Sequence, residues 1–154
     1  AEGRPLFVRS ARDSFNLANF MRANLYASVA VLKIGNDILF NQENVEVLRL
    51  TGHGGLFKTP GVGQSILAAA LGTPISVMAT AGEGGAWGIA ILAAYCVYND
   101  RGLSLPSYLN EQIFLGQAVT EVKPDPAAVA GFGRYIEAYK RGLAIEHAAV
   151  ENKA

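Results

Sequence analysis

Apolar positions along this chain of 154 residues alternate between helical and extended patterns. Leu17, Phe20, Met21, Leu25, Val29 and Leu32 recur at spacings of three and four. They predict an amphipathic helix from a cap at Asp13 or Ser14 to about Leu39. Gly35 weakens its far end by about 1 kcal/mol against alanine. Before the helix, residues 1–13 read as loop or short extended structure. Past a polar turn at Asn41–Asn44, Val45–Leu50 reads as a strand. Val62–Leu71 then reads as a helix whose Ala68, Ala69 and Ala70 permit close packing, and Ile75–Met78 as a second strand. The segment from Trp87 to about Tyr98 is apolar nearly all round, so burial on more than one side is expected. Asn99–Gly102 breaks it, with a short helix over Pro106–Leu115 and extended chain over Val119–Val122.

Asp125 at N-cap and Pro126 at N1 open a last helix, continued by Val129, Phe132, Ile136, Tyr139 and Leu143. The last six or so residues are expected to fray. The order helix, strand, helix, strand, helix, helix suggests a parallel α/β unit. Two strands are few for a parallel sheet. Either further strands escape the pattern, or the rest of the sheet lies outside this chain. Neither repeat nor linker divides the sequence. It reads as a single unit over 1–154, with an α/β core at about 16–100 and a helical region at about 101–154.

Composition narrows the picture. Hydrophobic residues make up 51% and charged residues 17%, a packed globular balance rather than a disordered one. Thirteen basic residues offset thirteen acidic ones, so bulk charge predicts neither a nucleic acid nor a membrane partner. Cys96 is the sole cysteine, compatible with a reducing cytoplasm and read as a small buried hydrophobe. No segment has the roughly 18 apolar residues of a membrane span. The first residue is not Met, and the start reads like the middle of a longer chain.

Two glycine-rich turns carry the candidate chemistry. Thr51-Gly52-His53-Gly54-Gly55-Leu56-Phe57-Lys58-Thr59-Pro60 joins the first strand to its helix, and Ala81-Gly82-Glu83-Gly84-Gly85-Ala86 joins the second to the next. Such turns are where α/β proteins most often hold nucleotides. The first is not a Walker loop. Phe57 stands where glycine must precede the lysine, and no apolar strand ends in an Asp for magnesium. The second is not a dinucleotide fingerprint, because Trp87 occupies the third glycine position and no acidic residue on a following strand is available for ribose. Two turns side by side at strand ends would instead form a shallow wall for a purine and its ribose.

Gly54-Gly55-Leu56-Phe57-Lys58-Thr59 with Gln64, followed by Gly82-Glu83-Gly84-Gly85-Ala86-Trp87-Gly88-Ile89-Ala90, resembles the end of the FGGY family of carbohydrate kinases, nearest its xylulokinase-like branch. The helix containing Leu17-Ala18-Asn19-Phe20-Met21-Arg22 and Leu25-Tyr26-Ala27 is similar to the one preceding that family's adenosine motif. The resemblance covers most of residues 5–98. It implies part of a ribonuclease-H-like, actin/hexokinase-type ATPase domain: helix-rich α/β with a small, incomplete parallel sheet. It also implies transfer of the ATP γ-phosphoryl, with Mg2+, to a sugar hydroxyl, xylulose or a related sugar.

The adenosine-binding residues so implied are Gly54, Gly55, Lys58, Thr59, Gln64, Gly82, Glu83 and Gly84. No catalytic or metal-binding residue is expected here. Asp13, Asp37, Asp100 and Asp125 look like caps or turn residues, and sugar would bind through an N-terminal domain outside the chain. The chain alone is expected to be inactive, since phosphoryl transfer depends on positioning and charge stabilisation supplied elsewhere. It is expected to be cytoplasmic, to bind ATP or ADP, and to form a homo-oligomer through uncovered apolar surface. Plainer roles stand beside these. Lys58 could be a solvated lysine, Glu83 a helix cap, His53 a ring packed on the next strand, and Trp87 and Phe57 core residues. The rival from another class is a non-catalytic interaction module.

Overall fold

A computed structural model describes residues 5–99 and 101–152. Expectations for residues 1–4, for Asp100 and for the final two positions lie outside the described residues. The chain forms two compact units, and one of the boundaries between them falls inside a helix.

One unit comprises the chain up to Glu46, Ala69–Gly72 and the chain from Pro124 onward. Its main elements are α1 (Leu17–Asn41) and, at the far end of the sequence, a helix over Pro126–Glu151. The cap of α1 is Asn16, whose Oδ1 accepts the Asn19 N–H at 2.9 Å, rather than Asp13 or Ser14. The Asp13 carboxylate is already engaged by the Ser10 N–H, which holds its pKa below the usual value. Tyr26 of α1 packs against Phe132 and Tyr135 with ring centroids 4.9 and 5.2 Å away, and the Tyr135 hydroxyl donates to Ala23 O at 3.3 Å. Val29, Ala30, Phe132 and Ile136 are buried there, while Leu17, Met21, Leu32 and Leu143 of the predicted apolar faces are exposed. Asp125 caps the last helix by accepting the Ala128 N–H at 2.8 Å, as its sequence predicts. That helix continues to Glu151 instead of fraying over six residues. Asn152 closes it with its N–H and its amide on Ala148 O.

The other unit holds the sheet and both glycine turns. Its elements are β1 (Leu50–Gly52), a 3-10 turn (Gly55–Phe57), most of α2 (Val62–Leu71), β2 (Ile75–Met78), a second 3-10 turn (Ala81–Glu83), α3 (Gly84–Tyr98), α4 (Leu105–Tyr108), a π-helical turn (Leu109–Ile113) and β3 (Val119–Val122). With these named, the last helix is α5. Only Leu50 of the predicted Val45–Leu50 strand belongs to β1. Asn44 takes φ of 53° and the Val45 N–H returns to Leu39 O at 3.0 Å, so this stretch finishes α1 instead of joining a ladder.

The sheet is mixed, not parallel. β1 and β2 run parallel with Leu50 beside Ile75, but β3 is antiparallel to β2. Val119, the first residue of β3, stands opposite Met78, the last of β2. The excursion through α3 and α4 therefore returns the chain to the end it left. Buried Gln64 ties the strands together, its Nε2 donating to Ile75 O and to Thr120 O at 3.1 Å each. Ala68, Ala69 and Ala70 are buried, as the small-residue run predicts.

α3 departs most from expectation. Of its apolar residues only Ile91 is buried, while Ile89, Val97 and Tyr98 are 72%, 67% and 73% exposed. Cys96 is exposed rather than buried. A helix apolar on every face can bury only the faces that neighbours cover. Among the described residues no helix is long and apolar enough to cross a membrane.

Candidate functional site

Parallel pairing of β1 and β2 brings both glycine turns to the same end of the sheet. Gly54 N–H donates to Ala81 O at 2.6 Å, joining one turn to the other. Gly54 has φ of 104°, a conformation strained for any residue with a Cβ. A Cβ on Gly84 would meet His53 Cβ at 2.8 Å, so the two turns also touch through a position that excludes a side chain. His53 therefore packs on the start of α3 rather than on the next strand, and it remains exposed. Phe57 lies over Gly52, where a Cβ would fall 2.1 Å from its ring.

Lys58 Nζ donates to Glu83 Oε1 at 2.8 Å, an ion pair between the turns with both side chains exposed. The hydrogen bond to Glu83, and then its charge, raise the Lys58 pKa; the same contacts lower that of Glu83. Glu83 makes no side-chain cap to α3, so pairing with Lys58 replaces the expected capping role.

A cavity of about 450 Å³ opens at the carboxyl ends of β1 and β2, beside the first turns of α3. Its walls are almost wholly apolar: Met78, Trp87 and Phe114 contribute to them, and Thr51, His53 and Thr80 line it mainly through apolar atoms. Gly85 and Gly88 also line it, and a Cβ on either meets nothing within 4 Å. Of the eight residues predicted from sequence, only Gly84 lines this cavity. Gly54, Gly55, Lys58, Gly82 and Glu83 form the joined turns next to it, and Thr59 is exposed in the first turn. Gln64 is directed elsewhere, with its amide spent inside the sheet.

Thr51 and Thr80 were findable, because side chains at and just beyond the carboxyl ends of parallel strands face the usual ligand crevice. Nothing in the sequence marks Leu109 or Phe114, which reach the cavity from the π-helical turn and its end.

The cavity's size lies in the roughly 300–1,000 Å³ range of small-molecule sites, and its apolar walls suit a flat, weakly polar group. Among the described residues no group of three or more His, Cys, Asp or Glu could hold a metal ion.

Fold and crevice together define an α/β protein with a glycine-turn site at the carboxyl end of parallel strands. The chain belongs to the FGGY family of carbohydrate kinases: the sequence model of that family's C-terminal domain matches residues 1–97. No curated protein and no solved structure matches it significantly.

Proposed function

We propose that this chain is the adenosine-binding portion of a cytoplasmic carbohydrate kinase that transfers the ATP γ-phosphoryl to a sugar hydroxyl, xylulose or a related sugar. The observation that carries this is the cavity beside two glycine turns bonded to one another. In this reading the base and ribose enter the cavity, with Gly85 and Gly88 leaving room for them. The open backbone at Gly54 and Gly55 and the Lys58 ammonium border the path of the phosphates. ATP supplies the transferred phosphoryl group when bound. This chain's residues bind and orient it. The cavity lining includes no carboxylate to serve as general base. The 154-residue chain alone is therefore expected to bind nucleotide and to leave pentuloses unphosphorylated.

Isothermal titration calorimetry with ATP and ADP tests the reading. Saturable heat with the wild type, reduced at least about tenfold in affinity by Gly85→Leu, supports it. Turnover of any pentulose by the chain alone would show that the chemical groups are present here after all.

One observation favours the rival, an interaction module without nucleotide. α3 presents Ile89, Val97 and Tyr98 to solvent, and such exposed apolar groups promote association. That reading predicts no nucleotide heat at millimolar concentration and a concentration-dependent mass by light scattering.

A further inference from the structure

Phe114 lies beyond the stretch that the family model matches, yet it lines the same cavity as Gly84, Gly85 and Trp87. Its position follows from local structure. Asn99 accepts the Leu103 N–H and donates to Leu103 O, closing the loop after α3. Ser104 caps α4, and Tyr108 is buried with its ring 5.2 Å from that of Tyr95. The backbone then widens into the π-helical turn, which ends with Phe114 N–H on Leu109 O at 2.8 Å. A π turn adds a residue to the helical circuit and re-aims the side chains around it, and such turns are frequent at functional sites. Here Leu109 and Phe114 both reach the cavity. The Phe114 and Trp87 rings stand 5.9 Å apart at 61°, an edge-to-face corner rather than a stack. Phe114 retains 36% of its surface.

We propose that Trp87 and Phe114 form an aromatic corner that holds the base of the bound nucleotide and sets specificity by flatness rather than by hydrogen-bonding edge. This rests on the nucleotide reading of the cavity. A base in the corner meets the face of one ring and the edge of the other, contacts that every base can make. The lining is almost wholly apolar and includes no Asp, Glu, Asn, Gln, Lys or Arg to read a base edge, so purines with different edges are accepted.

The sole tryptophan of the chain makes the corner directly visible. Trp87 emission is followed while adenosine, ATP, GTP and inorganic tripolyphosphate are added, with calorimetry on the same samples. Adenosine, ATP and GTP are expected to quench the emission, and tripolyphosphate to leave it unchanged. Phe114→Ala should weaken adenosine binding at least about fivefold, with Phe114→Tyr restoring most of it. Phe114→Leu keeps an apolar filler without a π face and should fail like alanine, which guards against misfolding of the smaller variant. ATP and GTP should bind within roughly tenfold of each other, and a preference beyond about a hundredfold would reveal edge recognition and overturn the proposal. Nucleotide heat with unchanged Trp87 emission, or full affinity in Phe114→Leu, overturns the corner while the nucleotide site stands. No heat with any nucleotide overturns both.

Discussion

The two glycine turns look alike in composition and do different work. In the first turn and the start of α2 that follows it, nearly every glycine serves the backbone. Gly52 lies under the Phe57 ring, Gly54 and Gly61 have φ of 104° and 75°, and a Cβ on Gly63 would stand 2.7 Å from Leu56 O. Gly55 alone in that turn has open space and negative φ. In the second turn and the helix it opens, φ is negative throughout. Gly84 is pinned against His53, whereas Gly85 and Gly88 face the cavity. One turn uses its glycines to build a rigid bend, and the other uses them mainly to leave a space empty. Counting glycines cannot separate these roles; asking what a Cβ would touch can.

Substitutions at matched positions test the contrast. The largest loss of stability is expected from Gly63→Ala, because the obstructing atom is backbone and cannot rotate away. A cost of about 1–3 kcal/mol should appear in urea unfolding, and a wild-type midpoint would mean the first turn is as forgiving as the second. Gly84→Ala should cost nearly as much, about 1–2 kcal/mol, since His53 Cβ moves only with its backbone. It should also disturb nucleotide binding by shifting the start of α3.

Gly85→Leu should change stability by less than about 0.5 kcal/mol, its side chain entering free space on a helix, while abolishing most nucleotide affinity. Parallel losses of stability and binding there would erase the distinction between the turns.

Smallest is Glu83→Gln, which breaks an exposed pair and should leave the thermal midpoint unmoved. Its effect should be confined to pH. The depressed Glu83 pKa means its contribution is present above the unfolded carboxylate value and fades as pH falls through the folded one. The raised Lys58 pKa means the converse at high pH, with the contribution lost as pH rises through it. The pair therefore persists across neutrality. Chemical-shift titration of the Glu83 side chain in wild type and in Lys58→Ala checks the direction, and equal pKa values in both would refute the pairing.

Much of this arrangement was legible in the residues themselves. Asp125-Pro126 fixed the start of α5, because a cap and a missing N–H act locally. Ala68–Ala70 announced close packing, and the strand-glycine-helix rhythm carried both turns and the family. Other features depended on partners distant in sequence. Apolar residues around α3 implied burial, but burial is decided by which neighbours arrive, and few cover it. β3 turned out antiparallel because the direction in which a strand returns depends on the path between strands. Gln64 sits in a motif-like position, yet the arrival of Thr120 gave its amide a carbonyl inside the sheet. Phe114 joined the cavity only because a π turn aimed it there. Local chemistry, read over a few residues, set the turns and caps. Tertiary structure alone decided which glycines guard space and which aromatic rings meet, because those outcomes require groups far apart in the chain to share one place.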